Sequence, residues 1–277
     1  MTASILPRKP LGNTGIEVSC LGLGCVKLGR NEGVKYPSGF TLPDDKEARQ
    51  ILAVARDQGI NLIDTAPAYG SSEERLGKLL ESRQQWVLSS KVGEEFEQGQ
   101  SRFDFSARHV RFSVERSLKR LRTDYLDLVL IHSDGNDRDI IENSACIETL
   151  VRCREQGLIR AFGMSTKTVA GGLLAVSACD VVMLTYNPDA TEDGTVIAAA
   201  AEAGKGVLIK KALGSGHLLM ADQRNESSSA PEQADPVARS MAFVFAREGV
   251  SSIIIGTINP VHIRHNCETA LRVLKKP

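Results

Sequence analysis

Four residues of the right types for proton chemistry stand at, or just beyond, the ends of apolar runs. They are Asp64 in INLIDTA, Tyr69 five residues further on, Lys91 in WVLSSK and His132 in YLDLVLIH. A buried lysine needs a counter-ion, and an aspartate on a neighbouring strand supplies one. An ammonium beside a phenol favours the phenolate, so the pKa of Tyr69 is expected below its reference of about 10. Ser71 and Glu74 have the S-x-x-E spacing of a capping box, which starts a helix just after the tyrosine. The helix N-terminus adds positive potential there. Tyr69 then reads as a general acid. His132 is expected to donate a hydrogen bond to the same substrate oxygen. Such a set suits a reaction that protonates a carbonyl oxygen as hydride arrives at carbon.

Residues so far apart in sequence need a scaffold that gathers them. Eight short apolar runs alternate with longer helical patterns: VSCLGLG, INLIDTA, WVLSSK, YLDLVLIH, IRAFGMS, DVVMLTYN, GVLIKK and SSIIIG. Continuous apolar runs are what strands buried on both faces of a parallel sheet look like. Between them, KEARQILAVARDQG carries Ala48, Ile51, Leu52 and Ala55 at helical spacing before Gly59. SARHVRFSVERSLKRL opens on Ser106 as an N-cap, with Val110, Val114, Leu118 and Leu121 along one stripe. The alternation predicts an α/β fold, a (β/α)8 TIM barrel, as one domain over residues 1–277. A doubly wound sheet is the rival, but GLGCVKLG lacks the Gly-x-Gly-x-x-Gly spacing. RKPLGNTGIEVS predicts an N-terminal β-hairpin, turning near Asn13 to Gly15, that closes the bottom of the barrel.

In a barrel the strand C-termini form the active face. Those positions are Gly24, Asp64, Lys91, His132, Ser165, Asn187, Lys210 with Lys211, and Gly256. After the seventh strand, Gly214 and Gly216 permit close backbone approach and Ser215 offers a donor. Residues 221–236 then have loop composition and are expected to form a lid or a plain insertion. Asn259 reads as an N-cap and Pro260 as the first helical residue. The N-terminus of that helix suits a phosphate, with His262 and Asn266 on one face. His262 and His265 lack a third ligand nearby, so no metal is expected. Tyr36 and Phe40 after the first strand, and Asp134 and Asp137 after His132, could line the pocket or simply pack their loops.

DTAPAYGSSEERLGKLL, SSKVG and LDLVLIH closely resemble the aldo-keto reductase family along nearly the whole chain. RFDFSARHVRFSVERSLKRL is similar to the branch that includes bacterial and plant aldose dehydrogenases. The resemblance implies a tetrad of Asp64, Tyr69, Lys91 and His132, and a nicotinamide cofactor lying extended across the barrel mouth. The family grips the carboxamide with a Ser-Asn pair and a glutamine. Here Ser165 is kept, Thr166 replaces the asparagine and Met183 stands at the glutamine position. Lys210 replaces an aromatic residue that often stacks on the nicotinamide, and its alkyl stem can cover the ring. The GSG run at Gly214 to Gly216 resembles a pyrophosphate-binding loop. Gly256 and Thr257, with His262 and Asn266, fall at the adenosine end, and Gly256 takes a position where a lysine is expected. These residues imply NADPH as cofactor, with NADH as the second choice.

Composition sets the remaining bounds. The formal charge is zero, which gives no basic footprint for nucleic acid. The N-terminus lacks the apolar core of a signal peptide, and no run reaches the ~18 to 20 apolar residues of a membrane span. A cytoplasmic monomer acting on a small-molecule carbonyl or sugar is expected, with no nucleic-acid or membrane partner. The six cysteines contain no Cys-x-x-Cys pair and read as reduced thiols; Cys25 falls near the active face. The chain runs only to LRVLKKP past its last helical pattern, so an open pocket for small substrates is expected. Two alternatives stay open. One is a Schiff-base enzyme using Lys91, Lys210 or Lys211. The other is a nucleotide-holding redox sensor of the same fold with little turnover.

Overall fold

The computed structural model describes residues 5–34, 36–37, 39–216 and 235–275. The chain enters as an antiparallel hairpin, β1 (Arg8–Pro10) and β2 (Glu17–Ser19). Three barrel strands follow: β3 (Leu21–Gly24), β4 (Leu62–Asp64) and β5 (Val87–Val92). A second hairpin, β6 (Glu94–Glu97) and β7 (Gln100–Phe103), interrupts them. The barrel resumes with β8 (Leu126–His132), β9 (Ile159–Ser165), β10 (Val181–Thr185), β11 (Gly206–Lys210) and β12 (Val250–Ile255). All eight barrel strands pair in parallel, and β12 closes the ring against β3. The helices between them, in chain order, are α1 (Asp45–Asp57), α2 (Ser72–Leu79), α3 (Ala107–Leu121), α4 (Asp137–Asn143), α5 (Cys146–Glu155), α6 (Val169–Ala178), α7 (Gly194–Glu202), α8 (Pro236–Phe245) and α9 (Pro260–Leu274).

Strand alternation divides the apolar residues into two cores. Leu62, Leu128, Leu130, Val181, Met183 and Leu208 point into the barrel, where Leu11, Ile16 and Val18 of the N-terminal hairpin join them. That hairpin therefore plugs the bottom, as expected. Ile63, Leu88, Val129, Ile131, Val182 and Ile209 point outward and pack beneath the helices. With the bottom filled by side chains, the polar strand ends are left to face the top.

Several local expectations change. Val18 and Ser19 belong to β2 and not to the first barrel strand. Ser106 caps α3 by accepting from His109 N at 3.3 Å. Ser71 precedes α2, yet its side chain makes no capping bond. The backbone there is not extended (φ −82°, ψ 6°), so the hydroxyl does not reach the N3 amide. The capping box forms instead at α1, between Asp44 and Glu47. Asp235 and Pro236, read as loop, are the N-cap and first turn of α8; residues 221–234 lie outside the described residues. Among those described, no helix is long and apolar enough to cross a membrane.

Candidate active site

Asp64 closes β4 and pairs in register with Ser89 of β5, which brings Lys91 level with the barrel mouth. Lys91 Nζ donates to Asp64 Oδ1 at 2.7 Å, to Asp64 Oδ2 at 2.8 Å and to Thr65 O at 2.9 Å. Both side chains are buried. Burial works against the ammonium, but Asp64 and Tyr69 outweigh it and raise the pKa of Lys91. The same ammonium lies 4.7 Å from the centre of the Tyr69 ring. Here one expectation is reversed. Burial is the largest influence on the phenol and raises its pKa, while Lys91 pulls it down by less. Tyr69 is thus held as a neutral phenol.

The backbone around Tyr69 is set by two interlocked glycines. Gly70 has φ +59°, and a Cβ there would lie 2.2 Å from Gly29 O. A Cβ on Gly29 would meet Ser72 N at 2.1 Å. Arg30 adds a tie by donating to Ala68 O at 3.0 Å. On α2, the buried Glu73 accepts from Ser90 Oγ of β5 at 2.6 Å and meets Arg120 at 3.4 Å. The tyrosine loop is therefore locked to β5 through a carboxylate the capping pattern did not single out.

His132 closes β8, with its ring edge-on to Tyr69 at 6.2 Å between centres. Its Nδ1 lies 2.6 Å from Glu94 Oε2. Burial opposes ionisation of Glu94, but His132, Ser101 and Arg30 outweigh it and hold the carboxyl at about 2. Burial lowers the pKa of His132; Lys91 and Lys210 add to that, against Glu94.

The four side chains open into a cavity of about 1810 Å³. It is also lined by Ser165, Thr166, Met183, Lys210, Lys211, Ser215, Gly216, Gly256, Thr257, His262 and Asn266. Of the residues assigned from sequence, Gly214 is not on the wall; it supplies a turn (φ +56°) just before Ser215. Lys210 Nζ donates to Ser165 Oγ and Thr166 O, both at 2.8 Å. Its pKa falls to about 7 through burial and the neighbouring ammoniums of Lys211 and Lys91. Thr166 Oγ1 is buried with no hydrogen-bond partner among the described residues. At the far end Asn259 accepts from Val261 N at 2.9 Å and caps α9, with Pro260 as its first residue.

The Aldo/keto reductase family profile matches residues 20–276. The chain belongs to the aldo-keto reductase family. This aldo-keto reductase is 52% identical to a solved Pseudomonas aeruginosa protein assigned to the same family, over 97% of this chain and 95% of that one, with a TM-score of 0.85. It is 27% identical to the D-threo-aldose 1-dehydrogenase of a Pseudomonas species, over 92% of this chain and 90% of that one. It is 34% identical to the L-galactose dehydrogenase of Arabidopsis thaliana, over 57% of this chain and 47% of that one. The protein is an oxidoreductase with aldose dehydrogenases among its relatives.

Other positions of the reductase sort differently from expectation. Tyr36 and Phe40 do line the cavity, with Lys27 Nζ 4.0 and 4.9 Å from their ring centres. Asp137 does not: it is buried and accepts from Lys167 N, Thr168 N and Thr168 Oγ1, anchoring the start of α6. Asp134 closes its own turn by accepting from Asn136 N. Asn187 lies beyond β10, and its amide donates to Lys211 O at 2.9 Å. Cys25 is fully buried and its thiol is pushed up, chiefly by burial, so it is inert. Sequence reasoning missed Glu94, Arg30, Asp235 and Arg239, all on the cavity wall. The EE pair that starts three residues past Lys91 was the available sign of Glu94. The other three become neighbours of the site only through the closed ring.

Proposed function

We propose that the chain, as one barrel domain over residues 1–277, is an NAD(P)-dependent oxidoreductase of small aldehydes, ketones or sugars. The observation that carries this reading is the Asp64–Lys91 pair set against a neutral Tyr69 at the cavity mouth. The cofactor supplies or accepts the hydride. Tyr69 donates its phenolic proton to the substrate oxygen in reduction and takes it back in oxidation. Lys91, kept charged by Asp64, stabilises the phenolate left behind. His132 contacts the same oxygen. Turnover of a panel of aldehydes and aldoses with each nicotinamide cofactor is the direct test. Absence of turnover with saturable nucleotide binding would favour a redox sensor, and borohydride trapping of substrate on Lys91 or Lys210 a Schiff-base enzyme.

The wall of the cavity fits a nicotinamide cofactor. The Thr166 hydroxyl, without a partner among the described residues, offers the carboxamide a hydrogen bond. The stem of Lys210 can cover the ring, and the capped start of α9 suits a phosphate. Met183, 2% exposed on that wall, can make no carboxamide hydrogen bond. Met183→Gln is therefore expected to tighten nicotinamide cofactor binding by the ~0.5–1.5 kcal/mol typical of one added hydrogen bond. Calorimetry showing equal or weaker binding would mean that another group already serves the carboxamide.

At the adenosine end we propose that His262 reads the 2′-phosphate, giving a modest preference for NADPH with some use of NADH. Gly256 leaves out one cation there, and the carboxylate of Asp235, ion-paired to Arg272 at 2.9 Å, keeps the preference small. The check is the ratio of dissociation constants for NADH and NADPH in the wild type and in His262→Ala, where the preference for NADPH is expected to be lost. An unchanged ratio in the alanine variant would remove His262 from this role.

A further inference from the structure

The ends of β9 and β11 bring three hydrogen-bond donors to one stretch of the cavity wall. Lys210 closes β11 and reaches past β10 to Ser165, which closes β9. Its ammonium donates to Ser165 Oγ and to Thr166 O, both at 2.8 Å. An ammonium has three N–H groups, so one of them has no acceptor among the described residues. Ser165 Oγ accepts from the lysine, which leaves its own proton to donate. Thr166 Oγ1 is buried without a hydrogen-bond partner among the described residues. All three residues line the cavity.

Acceptors are scarce at the same place. The carbonyl of Thr166 is taken by Lys210. Met183, paired with Ser165 from β10, offers a thioether, which accepts only weakly. The charges lean the same way. Lys211 and Lys91 add positive potential at Lys210, against Asp193 at the start of α7 and Asp137 on α4. A carboxamide answers such a group poorly, because it brings one acceptor oxygen and two N–H donors. A carboxylate brings two acceptor oxygens, no donor and the opposite charge.

We propose that Lys210, Ser165 and Thr166 form a carboxylate-binding group for the substituent on the pyridine ring of a bound dinucleotide, so that this cavity takes nicotinic acid dinucleotides at least as well as nicotinamide ones. The inference rests on the reading of the cavity as a nicotinamide dinucleotide site, and it adds a ligand class to NADPH and NADH. Lys210 is the residue that decides between the two: its stem covers the ring, and its spare N–H meets a carboxylate oxygen with a full charge. The two hydroxyls supply the remaining donors. A nicotinic acid dinucleotide held this way occupies the place of the cofactor and competes with it.

The test is a binding measurement and needs no turnover. Calorimetry compares NADP+ with nicotinic acid adenine dinucleotide phosphate, which differ only in the amide or carboxylate on the ring. Burial, with Lys211 and Lys91, sets the Lys210 pKa at about 7, so the titrations are run at about pH 6, where the ammonium is the major form. The wild type is expected to bind the nicotinic acid form with equal or greater affinity. Lys210→Met keeps an apolar stem and removes the charge. In that variant the ratio of dissociation constants should move toward the amide form by about 10- to 100-fold, the worth of one hydrogen bond to a charged group. A wild type that favours the amide form, or an unchanged ratio in Lys210→Met, overturns the proposal; the wild-type comparison decides even if the variant folds poorly. Tight binding of NADP+ with the nicotinic acid form rejected would sink this proposal alone, whereas failure of both to bind would sink the cofactor reading and this proposal with it.

Discussion

Tyr69→Phe is expected to fold as the wild type does, bind nicotinamide cofactor with unchanged affinity and lose about 10²- to 10⁴-fold in carbonyl reduction, the usual contribution of a positioned proton donor. The phenylalanine ring keeps the contact with the Lys91 ammonium, 4.7 Å from its centre, and the edge-on packing against His132. The interlock of Gly29 and Gly70 that shapes the loop is untouched. Only the hydroxyl is removed, so melting temperature and cofactor titration serve as controls while single-turnover reduction reads the chemistry. Turnover close to the wild-type value would take Tyr69 out of the acid role. A loss accompanied by weaker cofactor binding would show that the ring, and not its proton, is what matters.

Lys91→Met is expected to damage turnover more than Asp64→Asn, and both should be destabilised by the ~3–5 kcal/mol that follows when one member of a buried ion pair is removed. Among the described residues, the methionine variant leaves the Asp64 carboxylate with the 3.3 Å contact from Ser89 Oγ. The asparagine variant leaves the ammonium with the carbonyl of Thr65, at 2.9 Å, as its remaining strong acceptor. The two differ at the phenol: the ammonium acts on Tyr69, while the aspartate acts through the lysine. The linkage has a definite sign. The folded pKa of Lys91 lies above its ordinary 10.5, so the stability it contributes is fully present below 10.5 and is lost as the pH rises through the folded value. Denaturant midpoints of the wild type should therefore show no loss from this pair between about pH 6 and about pH 9, well below that range. Greater harm to turnover from the aspartate change, at equal folded fraction, would invert the hierarchy.

The barrel was legible because its strands are buried on both faces. Leu126–His132 reads as apolar in almost every position, since alternate residues serve two different cores. The hairpin over Glu94–Glu97 and Gln100–Phe103 carries no such pattern; its residues are half-buried or exposed, and half of them are charged. With it went Glu94, whose proximity to His132 is a fact of tertiary structure. The tetrad was legible as residue types at strand ends, but the direction of the Tyr69 shift was not. Sequence shows that an ammonium lies near the phenol; it does not weigh that charge against the desolvation of the ring. For Asp137 the sequence left lining the pocket and packing a loop both open, and the structure has it anchor a neighbouring helix start.

The ring closes where Ile253 to Ile255 of β12 pair with Leu21 to Leu23 of β3, and Ile253 N donates to Cys20 O at 2.9 Å. The pairing joins segments from nearly opposite ends of the chain, so it carries the largest loop-closure entropy of any strand pair in the barrel. The two walls of the cavity meet along that seam: Asp64 and Tyr69 follow β3 in the chain, and Gly256 and His262 follow β12. A folding intermediate with an open seam can hold the Asp64–Lys91 pair and still lack a complete nucleotide groove. Under the proposed function, nucleotide bound across the seam would pull the closing equilibrium toward the ring by mass action, and cofactor supplied during refolding is expected to raise the yield.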